Sequence, residues 1–306
     1  MNIAITGASG FIGQHLSRAF KGEGHKVIAL NRSDFALGDD HLADKINGSQ
    51  VVINLAGAPI NRRWTEAYKR EILSSRVETT KLLVNAMEKL SHRPELFIST
   101  SAIGAFSSIG NYTESDKPNA TDFLGKLSMQ WEAEASRAIQ LGVSTKIFRL
   151  GLVLGHAGGL MKQLMLPFKL GLGGPLGDGQ QHFSWIHIDD LINAYFYVIK
   201  HQQSTDVFHL CAPNPITNQV FTQTLGAALH RPTLFRVPDR LLKLIYGEGS
   251  EVMLSGQSVT SSRLTESGFF FRFPDITSAL YSIVDAASND KTGSRLNSSL
   301  NVTKTS

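Results

Sequence analysis

The chain has 306 residues, 42% of them hydrophobic and 18% charged, with a formal net charge of +4. This is the composition of a globular protein with room for one large domain or two lobes. The small charge, part of it from Lys291, Arg295 and Lys304 near the end, and the lack of Lys/Arg clusters interleaved with aromatics exclude a nucleic-acid footprint. The single cysteine, Cys211, excludes an intramolecular disulfide and a cysteine-built metal cage, and no apolar run approaches membrane-spanning length. Met1 opens directly into the first predicted strand, which leaves no place for a signal peptide, so a cytoplasmic protein is expected.

Asn2 to Thr6 predicts a short apolar strand that breaks into Gly7-Ala8-Ser9-Gly10-Phe11-Ile12-Gly13, with a helical pattern following at once. Strand, glycine turn and helix together make a dinucleotide phosphate site. Gly7 would permit the tight turn, Gly10 would let the backbone approach a pyrophosphate, and Gly13 would let the helix lie close on the strand. Phe11 and Ile12 sit at the helix start, where free N–H groups and a partial positive charge favour an anion. Gly7, Gly10, Phe11, Ile12 and Gly13 are therefore candidate cofactor contacts.

Lys26 to Leu30 predicts a second strand ending in Asn31-Arg32, roughly twenty residues beyond Gly13, the spacing of the ribose-reading position. An acid there hydrogen-bonds the 2′-hydroxyl of NAD, whereas an arginine suits the 2′-phosphate of NADP. Arg32 favours NADP(H); an ordinary surface charge is the bland alternative. Ser33 to Ser49 is polar, with a short helical pattern. Gln50 to Leu55 reads as a strand buried on both faces, and Leu55, Ala56 and Gly57 bring small groups to its carboxyl end, where open α/β sheets bind ligands. A helical period runs from Trp64 to Leu90 with a break near Ser74 and Ser75. It carries Lys69, Arg70, Glu71 and Arg76, most of them a solvated face, with Arg76 in reach of a cofactor phosphate.

Leu96 to Thr100 predicts another buried strand that delivers Ser99, Thr100 and Ser101. Ile103 to Thr121 reads as an active-site loop, Leu124 to Leu141 as a helix containing Trp131-Glu132, and Thr145 to Arg149 as a strand. This alternation predicts an α/β fold with a Rossmann-type, doubly wound parallel sheet. The core is expected over residues 1–155, with a smaller C-terminal α/β lobe over 156–286 that returns some strands to the core sheet. Residues 287–306 are too polar to pack and are expected to be a disordered tail.

In the second part, Leu160 to Leu170 is an apolar helix in which Met161, Met165 and Phe168 read as core. Gly171 to Gly179 is a second glycine run without the Gly-Lys-Ser/Thr of a P-loop, read as a mobile loop over a substrate. His187 and Asp189 would share one strand face, but two ligands without a third make no metal site. Asp189 and Asp190 are expected to cap a helix beginning at Leu191. Then follow a strand at Val207–Cys211, a capped helix from Thr217 to Leu229, a short strand between Pro232 and Pro238, and a helix at Leu241–Tyr246. A helix ending at Gly268 and a last one over Asp275–Ala286 complete the pattern.

TGASGFIG at the start, NLAG from Asn54 to Gly57, the serine-rich strand end and WIHIDD from Trp185 to Asp190 resemble the extended short-chain dehydrogenase/reductase superfamily, the NAD(P)-dependent epimerase/dehydratase fold. Arg63-Trp64, Lys69 with Glu71, Ser75-Arg76, the run Gly171–Gln180 and the stretch Arg236–Phe273 are similar to one subfamily, epimerase-like proteins sometimes labelled cell-division-inhibitor (SulA-like) proteins. The resemblance spans nearly everything but the tail. It implies NADP(H), with Asn31 and Arg32 at the 2′-phosphate end, Leu55 and Ala56 against the cofactor, and Glu71 and Arg76 lining the cleft. It also implies a small-molecule substrate and a homodimer through the helices near Trp64 and Leu124.

The superfamily's reaction couples hydride transfer to proton transfer: a tyrosine gives or takes the proton, a lysine four residues later lowers its pKa, and a serine positions the substrate oxygen. Ser101 matches that serine. No Tyr-x-x-x-Lys occurs in the chain; Phe123 stands about where the tyrosine would be, with Lys126 three residues on. Two functions follow. One is an NADP-dependent oxidoreductase or epimerase with a rearranged acid, using Ser101 with Lys126, or Tyr112 or Asp122. The other is a non-catalytic NADPH-binding protein whose cofactor-dependent shape is read by a partner.

Overall fold

The apolar runs form six parallel strands: β1 (Asn2–Thr6), β2 (Lys26–Leu30), β3 (Val51–Asn54), β4 (Leu96–Ala102), β5 (Ser144–Leu150) and β6 (Val207–Leu210). The computed structural model describes residues 1–156, 158–201 and 206–287; the expected tail lies, from residue 288 on, outside them. Strand order across the sheet is β6-β5-β4-β3-β1-β2, with every neighbouring pair parallel. The helices are α1 (Phe11–Gly22), α2 (Arg32–Ala36), α3 (Asp39–Ile46), α4 (Glu66–Ser74), α5 (Val77–Glu88), α6 (Phe123–Gln140), α7 (Gly159–Lys169), α8 (Ile188–His201), α9 (Asn218–Ala228) and α10 (Asp239–Tyr246), followed by short helices at Glu251–Leu254 and Ser262–Glu266. A last helix occupies 276–287.

Because side chains alternate across a strand, each strand feeds two cores. Ile3, Ile5, Ile53 and Ile98 pack with Leu16 and Phe20 of α1 and Leu191, Tyr195 and Val198 of α8. Ala4, Val52 and Phe97 face the other way, against Leu42 of α3, Leu83 and Met87 of α5, and Ala135 and Ala138 of α6. Burial on both faces is why these strands read as unbroken apolar runs. A third core, with Met161, Phe168, Trp185, Phe221 and Phe273, belongs to the C-terminal part.

The chain leaves β1 toward β2 on one side and returns to β3 on the other. The carboxyl ends of β1 and β3 therefore flank the reversal point, where such sheets open a ligand crevice. The strand β6, well beyond residue 155, lies beside β5 in the same sheet.

Three local expectations are corrected. The helix expected at Leu191 begins at Ile188, so Asp189 and Asp190 fall in its first turn. His187 Nδ1 accepts the Asp189 N–H at 3.1 Å, and Asp190, fully buried, instead accepts the N–H groups of Arg272 (2.8 Å) and Phe273 (2.9 Å). The strand expected between Pro232 and Pro238 is reduced to a single bridge between Leu176 and Val237, because Pro238 has no N–H with which to extend the ladder. The Gly171–Gly179 run, expected to be mobile, is pinned at its middle. Leu176 N–H donates to Asn218 Oδ1 at 2.9 Å and Gly177 N–H to the Val237 carbonyl at 3.0 Å.

Candidate functional site

The glycines at the end of β1 are fixed by close approach. Gly7 adopts φ +64°, and a Cβ there would lie 2.8 Å from the Leu55 carbonyl oxygen; a Cβ on Gly13 would lie 2.2 Å from the Gly7 oxygen. Gly10 differs: its Cβ would meet only the Gly7 oxygen, at 3.2 Å. Gly10 is the N-cap of α1, and neither a capping side chain nor an acid in the first turn satisfies the helix N-terminus. Its N–H groups are thus left for an anion, which fits a pyrophosphate. Ile12 lies in this first turn. The Phe11 ring turns inward, and a Cβ on Gly158 would lie 1.9 Å from it; only the Phe11 backbone faces the turn.

Across the crevice, the Thr6 hydroxyl donates to Asn54 Oδ1 (2.7 Å) and accepts the N–H groups of Leu55 and Ala56 (3.0 Å each). Asn54 Nδ2 donates to Thr80 Oγ1 at 2.8 Å. Thr6, Asn54 and Thr80 are fully buried and hold Leu55, Ala56 and Gly57 in place. The sequence reading did not single out Thr6, although a polar residue ending an apolar strand was the available signal, nor Thr80, which lies inside α5 with no such local signal.

At the end of β2, Asn31 caps α2 and Arg32 is its first residue; both are exposed. The nearest acid, Asp34, is turned inward. It accepts the Asn31 N–H (2.6 Å), Lys45 Nζ (2.8 Å) and His41 Nε2 (3.2 Å). Burial alone would raise its carboxyl, but these bonds and the Lys45 charge outweigh it and hold the group at about 2. The carboxylate is thus consumed by the protein, and Arg32 is the charge presented outward.

Arg76, at the N-cap of α5, donates to the carbonyls of Ala58 (3.0 Å) and Ile72 (3.2 Å), and its guanidinium lies 5.5 Å over the Trp131 ring. A Cβ on Gly57 would meet it at 2.9 Å. Burial pulls Arg76 down to about 10, so it is a cation at neutral pH, and none of its hydrogen bonds is to a carboxylate. Glu71 is exposed on α4.

Ser101 closes β4, buried, and donates to Glu132 Oε1 at 2.7 Å. Glu132 is gripped by Arg149 through two bonds of 2.8 Å, and Arg149 Nη1 faces His209 Nε2 at 3.4 Å. The His209 ring meets the Thr260 carbonyl at 3.0 Å, while its backbone N–H donates to the buried Glu114. Lys126 is exposed on α6. It precedes Glu132 by six residues, roughly 9 Å along the axis and about 240° around it, and the hydrogen bond of the Ser101 hydroxyl goes to Glu132, not to Lys126. The Tyr112 hydroxyl is engaged by Ser107, Asn119 and the Ile109 carbonyl, and its ring stacks on Phe106. Asp122 caps α6, accepting the Gly125 N–H at 2.7 Å. Phe123 packs against Trp64.

Between the loop after β4, the start of α6 and the C-terminal part lies a cavity of 290 Å³, lined by Ser108, Asp122, Asp239, Lys243, Glu251 and Gln257 among others. Among the described residues no group of three or more His, Cys, Asp or Glu could hold a metal ion, and no helix is long and apolar enough to cross a membrane.

The model of the NAD dependent epimerase/dehydratase family matches residues 3–211, and that of a domain of unknown function (DUF1731) matches residues 237–283. The chain is 35% identical over 303 residues to an Arabidopsis thaliana chloroplastic homologue of the epimerase family protein SDR39U1, covering 93% of this chain and 87% of that one. It is 36% identical over 301 residues to the Mus musculus epimerase family protein SDR39U1, covering 93% and 100%. Among solved structures, it resembles the human epimerase family protein SDR39U1 with NADPH, at 31% identity and a TM-score of 0.83, over 93% of this chain and 99% of that one.

Proposed function

The chain belongs to the NAD dependent epimerase/dehydratase family, and we propose that within it this protein binds NADP(H) across the β1–β3 crevice and acts on a small molecule as an epimerase/oxidoreductase-like enzyme. The observation that carries the reading is the ribose-reading corner: Asp34 is consumed internally while Arg32 stands exposed at the end of β2, which favours a 2′-phosphate over a 2′-hydroxyl. The similarity to a human relative solved with NADPH supports it. In this reading Gly7, Gly10, Gly13 and the backbone of Phe11 and Ile12 cradle the pyrophosphate. Asn31 and Arg32 hold the 2′-phosphate, Leu55, Ala56 and Gly57 line the ribose side, and Arg76 adds positive charge beside Gly57, with Glu71 at the rim. The cytoplasmic setting and a homodimer through α4 and α6 remain part of the proposal.

The bound cofactor would supply hydride chemistry. Ser101, its proton directed to Glu132, keeps lone pairs with which to accept a hydrogen bond from a substrate hydroxyl. In this reading Ser101 is the positioning group, and Lys126, exposed on α6, makes no hydrogen bond to it. The missing Tyr-x-x-x-Lys favours a second reading, an NADPH-binding sensor without turnover; general acid–base help is worth about a hundred- to ten-thousandfold in rate.

Titration with NADPH and NADH, followed by nicotinamide fluorescence, tests the cofactor half. NADPH is expected to bind about tenfold or more tighter, with the preference lost in Arg32→Asp. Equal affinities in the parent protein would overturn the reading. Oxidation of bound NADPH by any of a panel of carbonyl compounds, slowed in Ser101→Ala, selects the enzyme; none across the panel selects the sensor.

A further inference from the structure

Large apolar side chains stand in solvent along the C-terminal part of the molecule. Leu166 and Leu170, one turn apart at the end of α7, Leu172 just beyond it, and Leu234 and Phe235 are each between 64% and 79% exposed. Their backbones are pressed together. Arg231 Nε donates to the Lys169 carbonyl at 2.8 Å and the Val237 N–H to the Pro175 carbonyl at 2.9 Å, while a Cβ on Gly174 would lie 1.5 Å from the Phe235 carbonyl oxygen. These side chains are therefore held out by a fixed scaffold. The chain then enters α10, where Leu241, Leu244 and Ile245 are exposed as well and Leu242 is buried. At about 100° per residue, the three lie on the side opposite Asp239 and Lys243, which line the cavity. A surface helix ordinarily turns its apolar stripe to the core; α10 turns one to solvent.

Cations accompany these side chains, with almost no acid among them. Lys162, Lys169, Arg231, Arg236 and Arg240 lie on the same pieces of chain, and Arg63 Nη1 donates to the Leu244 carbonyl near the end of α10 at 2.7 Å. Asp239 is the one acid in residues 159–172 and 231–245, and it lines the cavity. The whole chain, by contrast, has 30 lysines and arginines against 26 aspartates and glutamates.

We propose that this face docks on an anionic lipid bilayer, lying on its surface without crossing it. Contiguous exposed apolar surface marks an interaction site, and the placing of the charges selects the occupant. The core of a protein interface is depleted of charge, whereas here a cation is the immediate sequence neighbour of Leu170, Phe235 and Leu241. A membrane interface satisfies both kinds of group. Leucine and phenylalanine enter the boundary between headgroups and acyl chains, and lysine and arginine stay level with the phosphates. The proposal does not depend on the cofactor reading.

Cosedimentation of the full chain with vesicles tests it, at low ionic strength and neutral pH. The protein is expected to bind vesicles of equal parts phosphatidylcholine and phosphatidylglycerol about tenfold or more tightly than phosphatidylcholine alone, and binding should weaken as salt is raised. Leu234→Ser with Phe235→Ser is expected to weaken binding to the anionic vesicles about tenfold. Arg236→Gln with Arg240→Gln should remove most of the preference over neutral ones. All four side chains are exposed, so melting temperature and NADPH affinity should stay as in the parent protein. No binding to anionic vesicles, equal binding to both kinds, or a serine variant that binds like the parent would overturn the proposal. So would dimers of the parent in sedimentation equilibrium that the serine variant dissociates, because the face would then belong to a second copy of the chain.

Discussion

The Thr6 hydroxyl donates to Asn54 Oδ1 across 2.7 Å, joining β1 to β3 where the strand order of the sheet reverses. The same oxygen accepts the N–H groups of Leu55 and Ala56, so one buried side chain sets both the register of the two strands and the entrance to the crevice. Thr6→Val keeps the shape and removes the hydroxyl, leaving the Leu55 N–H without its acceptor, the Ala56 N–H with only Asn54 Oδ1 at 3.4 Å, and Asn54 Oδ1 without the hydroxyl donor. Each buried group left unpaired costs about 1–3 kcal/mol. We expect a loss of about 2 kcal/mol or more in urea unfolding, with weaker NADPH binding. A valine variant as stable as the parent would refute this.

The three glycines separate stability from binding. Gly13→Ala drives a Cβ to 2.2 Å from the Gly7 carbonyl oxygen, which backbone cannot yield without moving α1 off the sheet. That variant is expected to lose several °C in melting temperature. Gly10→Ala places its Cβ 3.2 Å from the same oxygen and near nothing else, so the fold shifts by tenths of an ångström. Its methyl would stand in the path of the pyrophosphate, and NADPH affinity should fall about tenfold or more with little change in melting temperature. Equal effects of the two substitutions on both measurements would refute the assignment.

Much of the geometry of the proposed cofactor crevice was legible in the sequence because it is local. Gly7 to Gly13, the end of β2 and the Leu55–Gly57 strand end each lie within a few residues of a strand's carboxyl end, and the roles proposed for them rest on short-range sterics and helix electrostatics. The break between α4 and α5 near Ser74 was readable for the same reason. The reaction half was not, because it is assembled from residues far apart in the chain. Nothing local to Glu132 says that Arg149 and Ser101 will meet it, nor that Asp190 will bind backbone 82 and 83 residues away. Lys126 is singled out in the sequence because it stands three residues after Phe123, near the place of the missing Tyr-x-x-x-Lys, and it lies six residues before Glu132, the residue that Ser101 meets.

Glu132 is a sharp test of that long-range network. Arg149 is 4% exposed and its bidentate bond to Glu132 neutralises a buried guanidinium. Breaking such a pair from one side costs about 3–5 kcal/mol, whereas replacing both partners with apolar residues is often far cheaper. Glu132→Leu and Arg149→Met are each expected to be strongly destabilising in denaturant titrations, and the double variant to recover a large part of the loss. Strict additivity of the two would show that the pair is not an energetic unit.

The same network sets the response to acid. Burial is the main force holding His209 down at about 3, and the neighbouring charges of Arg149 and Arg263 add to it against the Thr260 carbonyl and Asp116. Burial likewise holds His187 at about 4, with Asp189 opposing and Arg272 and His15 assisting. Both rings are neutral in the folded protein, whereas in the unfolded chain they take up protons near the ordinary 6.5. The unfolded state therefore binds more protons between about 6.5 and 4, and stability rises with pH across that window. The contribution of the two rings is complete above about 6.5 and is lost as pH falls toward 4, by at most about 1.4 kcal/mol per pH unit for each ring. Glu114, whose carboxyl burial raises, acts in the opposite sense at the bottom of the window, because the folded state then binds the extra proton. Asp34, held at about 2, contributes in full throughout this window and loses its share only as pH falls below its ordinary value. Urea unfolding from pH 7 to pH 4 should show the decline, and His209→Gln, although less stable at pH 7, should show a shallower one. An unchanged slope in that variant would mean that His209 takes up its proton in the folded state as readily as in the unfolded chain.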